Sequence, residues 1–288
     1  MANLKEIRNR ITSIKSTMQI TSAMKMVSAA KLKKAQDAIT AMRPYSSKLT
    51  ELLQNLSATS EGDVGGTYSK EREISKVLLV VITSNRGLCG GFNSSITKTT
   101  VRTIEEKYSD VEVDLFAIGK KGGDVLSKQY NIVATRNDIF DDLTFDNVAA
   151  VAEKLMELYV DGTYDKIELV YNQFKNAATQ LPQVEQFLPI KPIEGGDVNA
   201  ANSDYIFEPS KEEIVEALIP KSLKTQLYKA LRDSFASEHG ARMTAMHKAT
   251  DNATDLRDDL LLTYNKARQA AITNEILEIV GGAEALKN

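Results

Sequence analysis

The N-terminal stretch of the chain carries apolar side chains at alternating intervals of three and four residues. Nine of the twelve positions on this alternation are apolar. The twelve positions are Leu4, Ile7, Ile11, Ile14, Met18, Thr21, Lys25, Ser28, Leu32, Ala35, Ile39 and Met42. This spacing is typical of the seam of a left-handed coiled coil, which needs a partner helix. The other long helical pattern lies in the C-terminal third, so we expect the two ends to pair as a long antiparallel coiled coil.

Two prolines predict interruptions in these long helices. Pro44 follows a helix expected over residues 4–42, and helical spacing then resumes to Leu56. The C-terminal helix is expected from Lys211, with an interruption at Pro220 and a stop at the glycines 281 and 282. An interior proline removes a backbone hydrogen bond and costs about 3 kcal/mol, so we predict a kink or a break at each.

The C-terminal helix is predicted to be longer than its partner. At about 1.5 Å per residue it would extend roughly 90 Å, against roughly 60 Å for the first helix. About 20 residues at its end would then lack a partner within the chain. Aliphatic side chains cover about half of this overhang, and we expect another protein to surround them. They are Ile272, Ile276, Leu277, Ile279 and Val280.

The middle of the chain alternates between strand and helix patterns, which predicts a parallel, Rossmann-like α/β sheet. Strands are expected over 76–82, 111–118, 131–135 and 166–171, and helices up to Tyr108 and over 120–130 and 145–160. Residues 181–194 contain three prolines, so they are an edge strand or a loop. We therefore divide the chain into an N-terminal coiled-coil helix (1–58), an α/β domain (70–208) and a C-terminal coiled-coil helix (210–288).

Charge is unevenly distributed along the chain. The net charge is −3, but residues 1–57 hold ten Lys or Arg against three acids, a net of +7. A basic helix of this kind could contact nucleic acid, anionic lipid or an acidic protein surface. The chain has no Trp, and its aromatic residues do not interleave with the basic ones, which disfavours nucleic acid.

Cysteine use and hydropathy indicate a cytosolic product. The single cysteine, Cys89, excludes an internal disulfide and agrees with a reducing compartment. No apolar run approaches the roughly 18 residues that span a bilayer. The helix pattern begins almost at the first residue, so we expect no signal peptide.

Gly87-Leu88-Cys89-Gly90-Gly91 lies between a strand and a helix, where a nucleophile elbow or a phosphate loop would lie. The spacing does not match a phosphate loop, and a thiol nucleophile needs a base. His239 and His247 belong to the C-terminal helix, and neither has an obvious route to Cys89. A tight turn therefore accounts for the motif better than an active site. We also expect no cofactor and no metal, because no thiolate or imidazole cluster has ligand spacing.

Three regions together resemble the gamma subunit of F-type ATP synthases. They are KEIR at 5–8 continuing to ITSAMKMVSAAK at 20–31, RGLCGGFN at 86–93, and YNKARQAAITNE at 264–275. The resemblance covers the whole chain in order, and the C-terminal motif is specific.

The chain departs from the family pattern in two places. The insertion with a redox cysteine pair of the chloroplast form is absent, and Asn85 stands where the family usually has Asp.

The resemblance implies a non-catalytic rotor. The coiled coil would be the central stalk, threaded through a ring of alpha and beta subunits whose apolar sleeve holds the C-terminal overhang. The α/β domain would lie on the c-ring beside the epsilon subunit, with no nucleic acid bound and no membrane insertion. The stalk would couple proton flow to ATP synthesis or hydrolysis in the ring, and it would regulate the ATPase activity. The complex would be peripheral to the bacterial plasma (inner) membrane, on its cytoplasmic side.

The resemblance also assigns partner-binding residues. Residues expected to meet an acidic loop of the beta subunit are Met24, Lys25, Lys31, Lys33 and Lys34. A polar catch and the apolar sleeve would contact Arg268, Gln269, Thr273, Ile272, Ile276 and Val280. Two alternatives remain: a coiled-coil adaptor whose α/β domain recognises a small ligand, and a hydrolase that uses Cys89.

Overall fold

The computed structural model describes residues 4–58, 66–70, 72–190 and 210–285. The chain divides into two compact units, one from residues 1–28 and 243–288 and the other from residues 29–242. Helices α1 (Leu4–Ala58) and α5 (Lys211–Ala285) each contribute to both units.

The second unit, residues 29–242, contains a five-stranded sheet in the order β3-β2-β1-β4-β5, and we call it the sheet unit. Its strands are β1 (Lys76–Ile82), β2 (Glu112–Ile118), β3 (Asn131–Arg136), β4 (Lys166–Phe174) and β5 (Gln180–Leu188). Strands β1 to β4 are parallel, and β5 is an antiparallel edge strand. The predicted fold class is thus confirmed, with a sheet that is mostly rather than wholly parallel.

Helices cover both faces of this sheet. They are α2 (Phe92–Lys107), α3 (Lys120–Leu126) and α4 (Phe145–Val160), together with the first part of α5. Helix α3 ends earlier than predicted, since Tyr130 turns inward to pack against the core ahead of β3. Alternate residues of β1 point into two separate cores, which explains why the strand is apolar throughout.

The first part of α5 belongs to the core of the sheet. Its residues Ile219, Leu223, Leu227 and Leu231 are buried with the apolar face of α4 and with alternate residues of β1. At about 25 cal/mol per Å² of buried apolar surface, such contacts fix α5 firmly on the sheet unit.

The predicted breaks at the prolines and the predicted stop at the two glycines are wrong. Both α1 and α5 run through their prolines, and α5 continues through Gly281 and Gly282 to Ala285. Ile219 and Leu223 are buried on either side of Pro220, so packing offsets the lost hydrogen bond. The two glycines do not adopt a positive φ, and their helical cost is only about 1 kcal/mol each.

The paired ends of the chain form the first unit. None of the twelve seam positions predicted in α1 is exposed. Within this unit the hydroxyl oxygens of Thr21 and Thr250 are 2.7 Å apart and share a hydrogen bond. In α5 a matching set of residues, spaced alternately by four and three, is also protected from solvent. These residues are Met246, Thr250, Ala253, Arg257, Leu260, Tyr264, Ala267 and Ala271.

The direction of this pairing follows from its extent. Within the first unit, the seam lies mainly before Thr21 in α1, back to Leu4, and mainly after Thr250 in α5, forward to Ala271. The two helices therefore run antiparallel, as predicted. Residues 272–284 are all exposed, so the described overhang is shorter than predicted because the seam extends further along α5.

Candidate functional site

The end of α5 is an apolar surface in contact with solvent. Its aliphatic side chains are Ile272 (48% exposed), Ile276 (54%), Leu277 (63%), Ile279 (71%) and Val280 (55%). Two successive spacings of four residues place Ile272, Ile276 and Val280 on one face of the helix. We call residues 272–284 the tip. A contiguous apolar surface of this kind marks a site of interaction with another molecule.

Polar residues predicted to form the catch lie at the base of the tip. The side chains of Arg268, Gln269 and Thr273 are exposed. The Thr273 hydroxyl donates to the backbone carbonyl of Gln269 at 2.9 Å. The helix thus places the three residues within about two turns, where they are accessible to a partner.

The basic residues predicted to meet an acidic loop differ in their exposure. Lys31, Lys33 and Lys34 are exposed, while Met24 and Lys25 are half-buried. The Lys33 ammonium is 3.4 Å from the Asp37 carboxylate, and both side chains are more than half exposed. Such a surface pair contributes little, about 0–1 kcal/mol, so Lys33 remains available to a stronger acidic partner.

A buried polar cluster on α5, which the sequence analysis missed, contacts the Gly-rich turn. Glu238, His239 and Arg242 are each less than a tenth exposed. Arg242 Nη1 donates to Glu238 Oε1 at 2.6 Å, and Arg242 Nη2 donates to the carbonyl of Arg86 at 3.1 Å. One signal was available: an acid and an arginine four residues apart within a stretch of small residues.

The part of α5 just after His239 lies against the Gly-rich turn, a contact that the sequence did not indicate. Ala241 packs directly against Cys89 and Phe92, so this part of α5 covers the turn. Arg242 Nη1 lies 3.4 Å from His239 Nδ1, and the imidazole packs edge-on against the ring of Phe235. The contact joins residues about 150 positions apart, and no local pattern reveals it.

The Cys89 thiol lies in an environment that does not favour the thiolate. The side chain is buried, and this burial raises the pKa of the thiol above its usual range. Asn93 Nδ2 donates to Cys89 Sγ at 3.2 Å. The arrangement supports the tight-turn interpretation of the motif and disfavours the hydrolase alternative.

Asn85 connects two loops at the carboxyl ends of the strands. Its Nδ2 donates to the carbonyl of Asn137 at 2.6 Å, and its Oδ1 accepts from the Lys120 amide at 3.1 Å. Aspartate could accept the second bond but could not donate the first. The amide therefore suits this site in a way that the usual family residue would not.

The stability of the sheet unit is expected to fall between pH 7.5 and 5 because of His239. Burial, with the nearby cations Arg242 and Lys31, lowers the pKa of His239 to about 3. The unfolded chain takes up a proton near pH 6.5 and the folded chain does not, so acid favours unfolding by about 2 kcal/mol at pH 5. Burial raises the pKa of Glu238, which contributes with the opposite sign.

The comparison of His239→Gln with the unchanged chain separates the two groups, since Glu238 is present in both. Urea unfolding at pH 7.5 and 5 should show a smaller pH dependence for the variant. An equal loss of stability in both proteins would contradict the assignment to His239.

Two further classes of site are absent from the part of the chain that the structure describes. No group of three or more His, Cys, Asp or Glu side chains there could hold a metal ion. None of the described helices has both the length and the apolar character needed to cross a membrane.

Similarity to known proteins decides the family. The family model described as ATP synthase matches residues 3–286. An ATP synthase gamma chain of Flavobacterium johnsoniae is 73% identical over 286 residues, which are 99% of each chain. The chain belongs to the ATP synthase gamma chain family. The gamma chain of Cytophaga hutchinsonii is 54% identical over the full length of both chains. The resemblance found in the sequence, and the central-stalk function that it implied, are confirmed.

Solved structures of family members share this fold. The central stalk and c-ring structure of the Tetrahymena thermophila mitochondrial ATP synthase contains a chain with 28% identity and a TM-score of 0.62. The match covers 80% of this chain and 99% of that one. The rotor of the Euglena gracilis mitochondrial enzyme matches at 24% identity with a TM-score of 0.67, covering 93% and 98% of the two chains. At that identity the similarity concerns the fold.

Proposed function

We propose that this gamma chain is a non-catalytic rotor subunit that couples proton flow to ATP synthesis and hydrolysis on other subunits. The observation that carries the proposal is the exposed apolar tip, which extends past the end of the paired helices. An apolar half-helix in contact with water is unfavourable, and a sleeve formed by other subunits would remove it from water.

The partners of the proposed rotor follow from the surfaces and the family. Alpha and beta subunits would surround the tip, with Ile272, Ile276 and Val280 in the sleeve and the catch residues Arg268, Gln269 and Thr273 at its entrance. The α/β domain (70–208) would contact the c-ring and the epsilon subunit. Residues 1–58 and 210–288 would form the stalk. The complex would lie on the cytoplasmic side of a bacterial inner membrane.

Coupling would work through contacts that differ between rotor positions. A rotor that presents a different face to each of three beta subunits changes their nucleotide affinities only through such differential contacts. The basic face of α1 would supply part of them, because Lys31, Lys33 and Lys34 are exposed and the beta-subunit loop expected from the family is acidic. Met24 and Lys25 would contribute less, since both are half-buried.

Reconstitution tests the proposal directly. The chain would be mixed with alpha and beta subunits from Flavobacterium johnsoniae, whose own gamma chain is 73% identical. The proposal predicts a stable complex that hydrolyses ATP and turns a bead attached to the gamma chain. Failure to join the ring would contradict it. Hydrolysis by the isolated chain, lost in Cys89→Ala, would favour the hydrolase alternative.

Charge reversal on α1 is expected to change ATP hydrolysis by that complex. Replacing Lys31, Lys33 and Lys34 with Glu puts repulsion in place of attraction at each contact. At about 0.2–1 kcal/mol per pair, the three changes together predict roughly a 3- to 150-fold change in rate. The change should shrink at high salt, because exposed charges are screened. The matched control reverses Lys98, Lys107 and Lys128, which are exposed on the sheet unit. If the variant with Lys31, Lys33 and Lys34 reversed hydrolyses ATP at the same rate as the unchanged chain, these lysines have no part in the mechanism.

A further inference from the structure

Leu88 in the Gly-rich turn has an unfavourable backbone conformation. Among the described residues it is the one non-glycine residue with a positive φ, at 61°. A side chain with a Cβ atom is disfavoured in this left-handed region. The Leu88 side chain is 65% exposed, so packing within the chain does not compensate. Another contact must therefore hold the backbone in place.

The guanidinium of Arg242 is placed to supply that contact. The φ angle of Leu88 depends on the orientation of the Gly87–Leu88 peptide, which the Gly87 carbonyl defines. Arg242 Nε and Nη2 donate to this carbonyl oxygen at 3.4 and 3.3 Å. Nη2 also donates to the preceding carbonyl, that of Arg86, at 3.1 Å. One charged group thus holds two consecutive carbonyls toward itself.

Both ends of this arrangement are fixed. Arg242 is 7% exposed and pairs with Glu238 at 2.6 Å, so it cannot turn out to solvent without leaving a buried carboxylate alone. On the other side of Leu88, the Cys89 carbonyl accepts from the Phe92 amide at 3.2 Å. The Ser84 hydroxyl donates to the Arg86 carbonyl at 2.6 Å.

Open space lies beside the residue that begins this peptide. A Cβ atom built on Gly87 would have nothing within 4 Å, so no neighbour packs against this residue on that side. Glycine also tolerates the backbone angles of both orientations of the following peptide. Rotation of the peptide would return the φ angle of Leu88 to the negative values that most residues adopt, but it would break the hydrogen bonds from Arg242 to the Gly87 carbonyl.

We propose that Arg242 is a clamp that holds the Gly87–Leu88 peptide in the strained one of two orientations. While Arg242 binds the two carbonyls, the backbone of Leu88 is in the left-handed region and its side chain projects from the turn. Without it, the peptide rotates and the strain is released. The turn is thus a two-state element whose state is set by one buried guanidinium on α5.

A double-mutant cycle on the full chain tests the clamp. Leu88→Gly removes the strain but also gives the unfolded chain more freedom, so it should lower the unfolding equilibrium constant by about two- to tenfold while Arg242 is present. In an Arg242→Gln background the strain is already released, and the gain from Leu88→Gly should disappear. Urea unfolding followed by tyrosine fluorescence is suitable, since nine of the ten tyrosines lie in residues 29–242.

Two matched controls make the cycle specific. Arg232→Gln removes another α5 guanidinium that donates to a backbone carbonyl, that of Leu143, and should leave the gain from Leu88→Gly intact. Leu88→Ala shortens the exposed side chain but keeps the strain, so it should give no gain. If Arg242→Gln does not fold, Arg242→Lys keeps the charge beside Glu238 and lacks the fork that binds both carbonyls. A gain that is equal with and without Arg242, or equal for Ala and Gly, would overturn the proposal.

Discussion

Deletion of residues 269–288 is expected to weaken capture of the chain by the alpha and beta ring by about a thousandfold. Each large aliphatic side chain gains about 1.5–3 kcal/mol on full burial. The five of the tip are 48–71% exposed, so roughly 1 kcal/mol each, or about 4–5 kcal/mol together, is at stake. The deletion leaves the protected α5 seam from Met246 to Ala267 in place, so the paired helices should still form.

Capture is measured by titrating labelled ring subunits with the full and the shortened chain. The matched control is Glu275→Gln with Glu278→Gln, which changes the charge of the tip and keeps its aliphatic surface. That control should bind within a few-fold of the unchanged chain. Equal affinity of the shortened and the full chain would contradict the sleeve.

Ile11→Asp is expected to separate the two ends of the chain. Ile11 is 7% exposed and lies on the α1 seam. A carboxylate at this position loses the apolar contact and buries a charge without a partner, so we expect a cost of more than about 3 kcal/mol. This cost is large for two helices whose seam in this region includes Thr21, Thr250 and several alanines, which bury little area.

Hydrogen exchange measures this effect locally. Amides of residues 4–28 and 246–271 should lose protection in Ile11→Asp, while the strands of the sheet keep theirs. Ile20→Asp is the matched control, because Ile20 is on the same helix and 60% exposed. Protection that is lost equally in both variants, or in neither, would contradict a seam through Ile11.

Elements with a clear pattern of apolar residues could be predicted closely from the sequence. The bounds of β1 (Lys76–Ile82) and of α4 (Phe145–Val160) match the predicted ones, because an unbroken apolar run and a regular apolar stripe each allow one interpretation. All twelve positions of the α1 seam are protected for the same reason.

Features that depend on distant contacts could not be predicted. The helix through Pro220 relies on burial of Ile219 and Leu223 against the sheet, and local propensity gives the opposite answer. The antiparallel direction of β5 depends on its pairing with β4. The contact of Arg242 with the Gly-rich turn joins the end of β1 to the middle of α5.

In the candidate site, too, local patterns could be predicted and distant contacts could not. The tip was recognisable because its aliphatic residues continue at helical spacing after the partner seam runs out. Individual contact residues of α1 follow from the family resemblance, and their roles remain proposals. The buried cluster of Glu238, His239 and Arg242 was missed, since charged residues on a long helix are usually solvated.

Photo-crosslinking from Ile276 tests the central claim most directly. A photoreactive amino acid at this position, in the complex reconstituted with alpha and beta subunits, would be activated by light and its products identified by mass spectrometry. If the paired helices hold the tip inside the ring, crosslinks should form to alpha and beta subunits and should be lost from a position on the sheet unit such as Lys98. Crosslinks confined to this chain, or none to the ring, would contradict a rotor whose tip is enclosed by its partners.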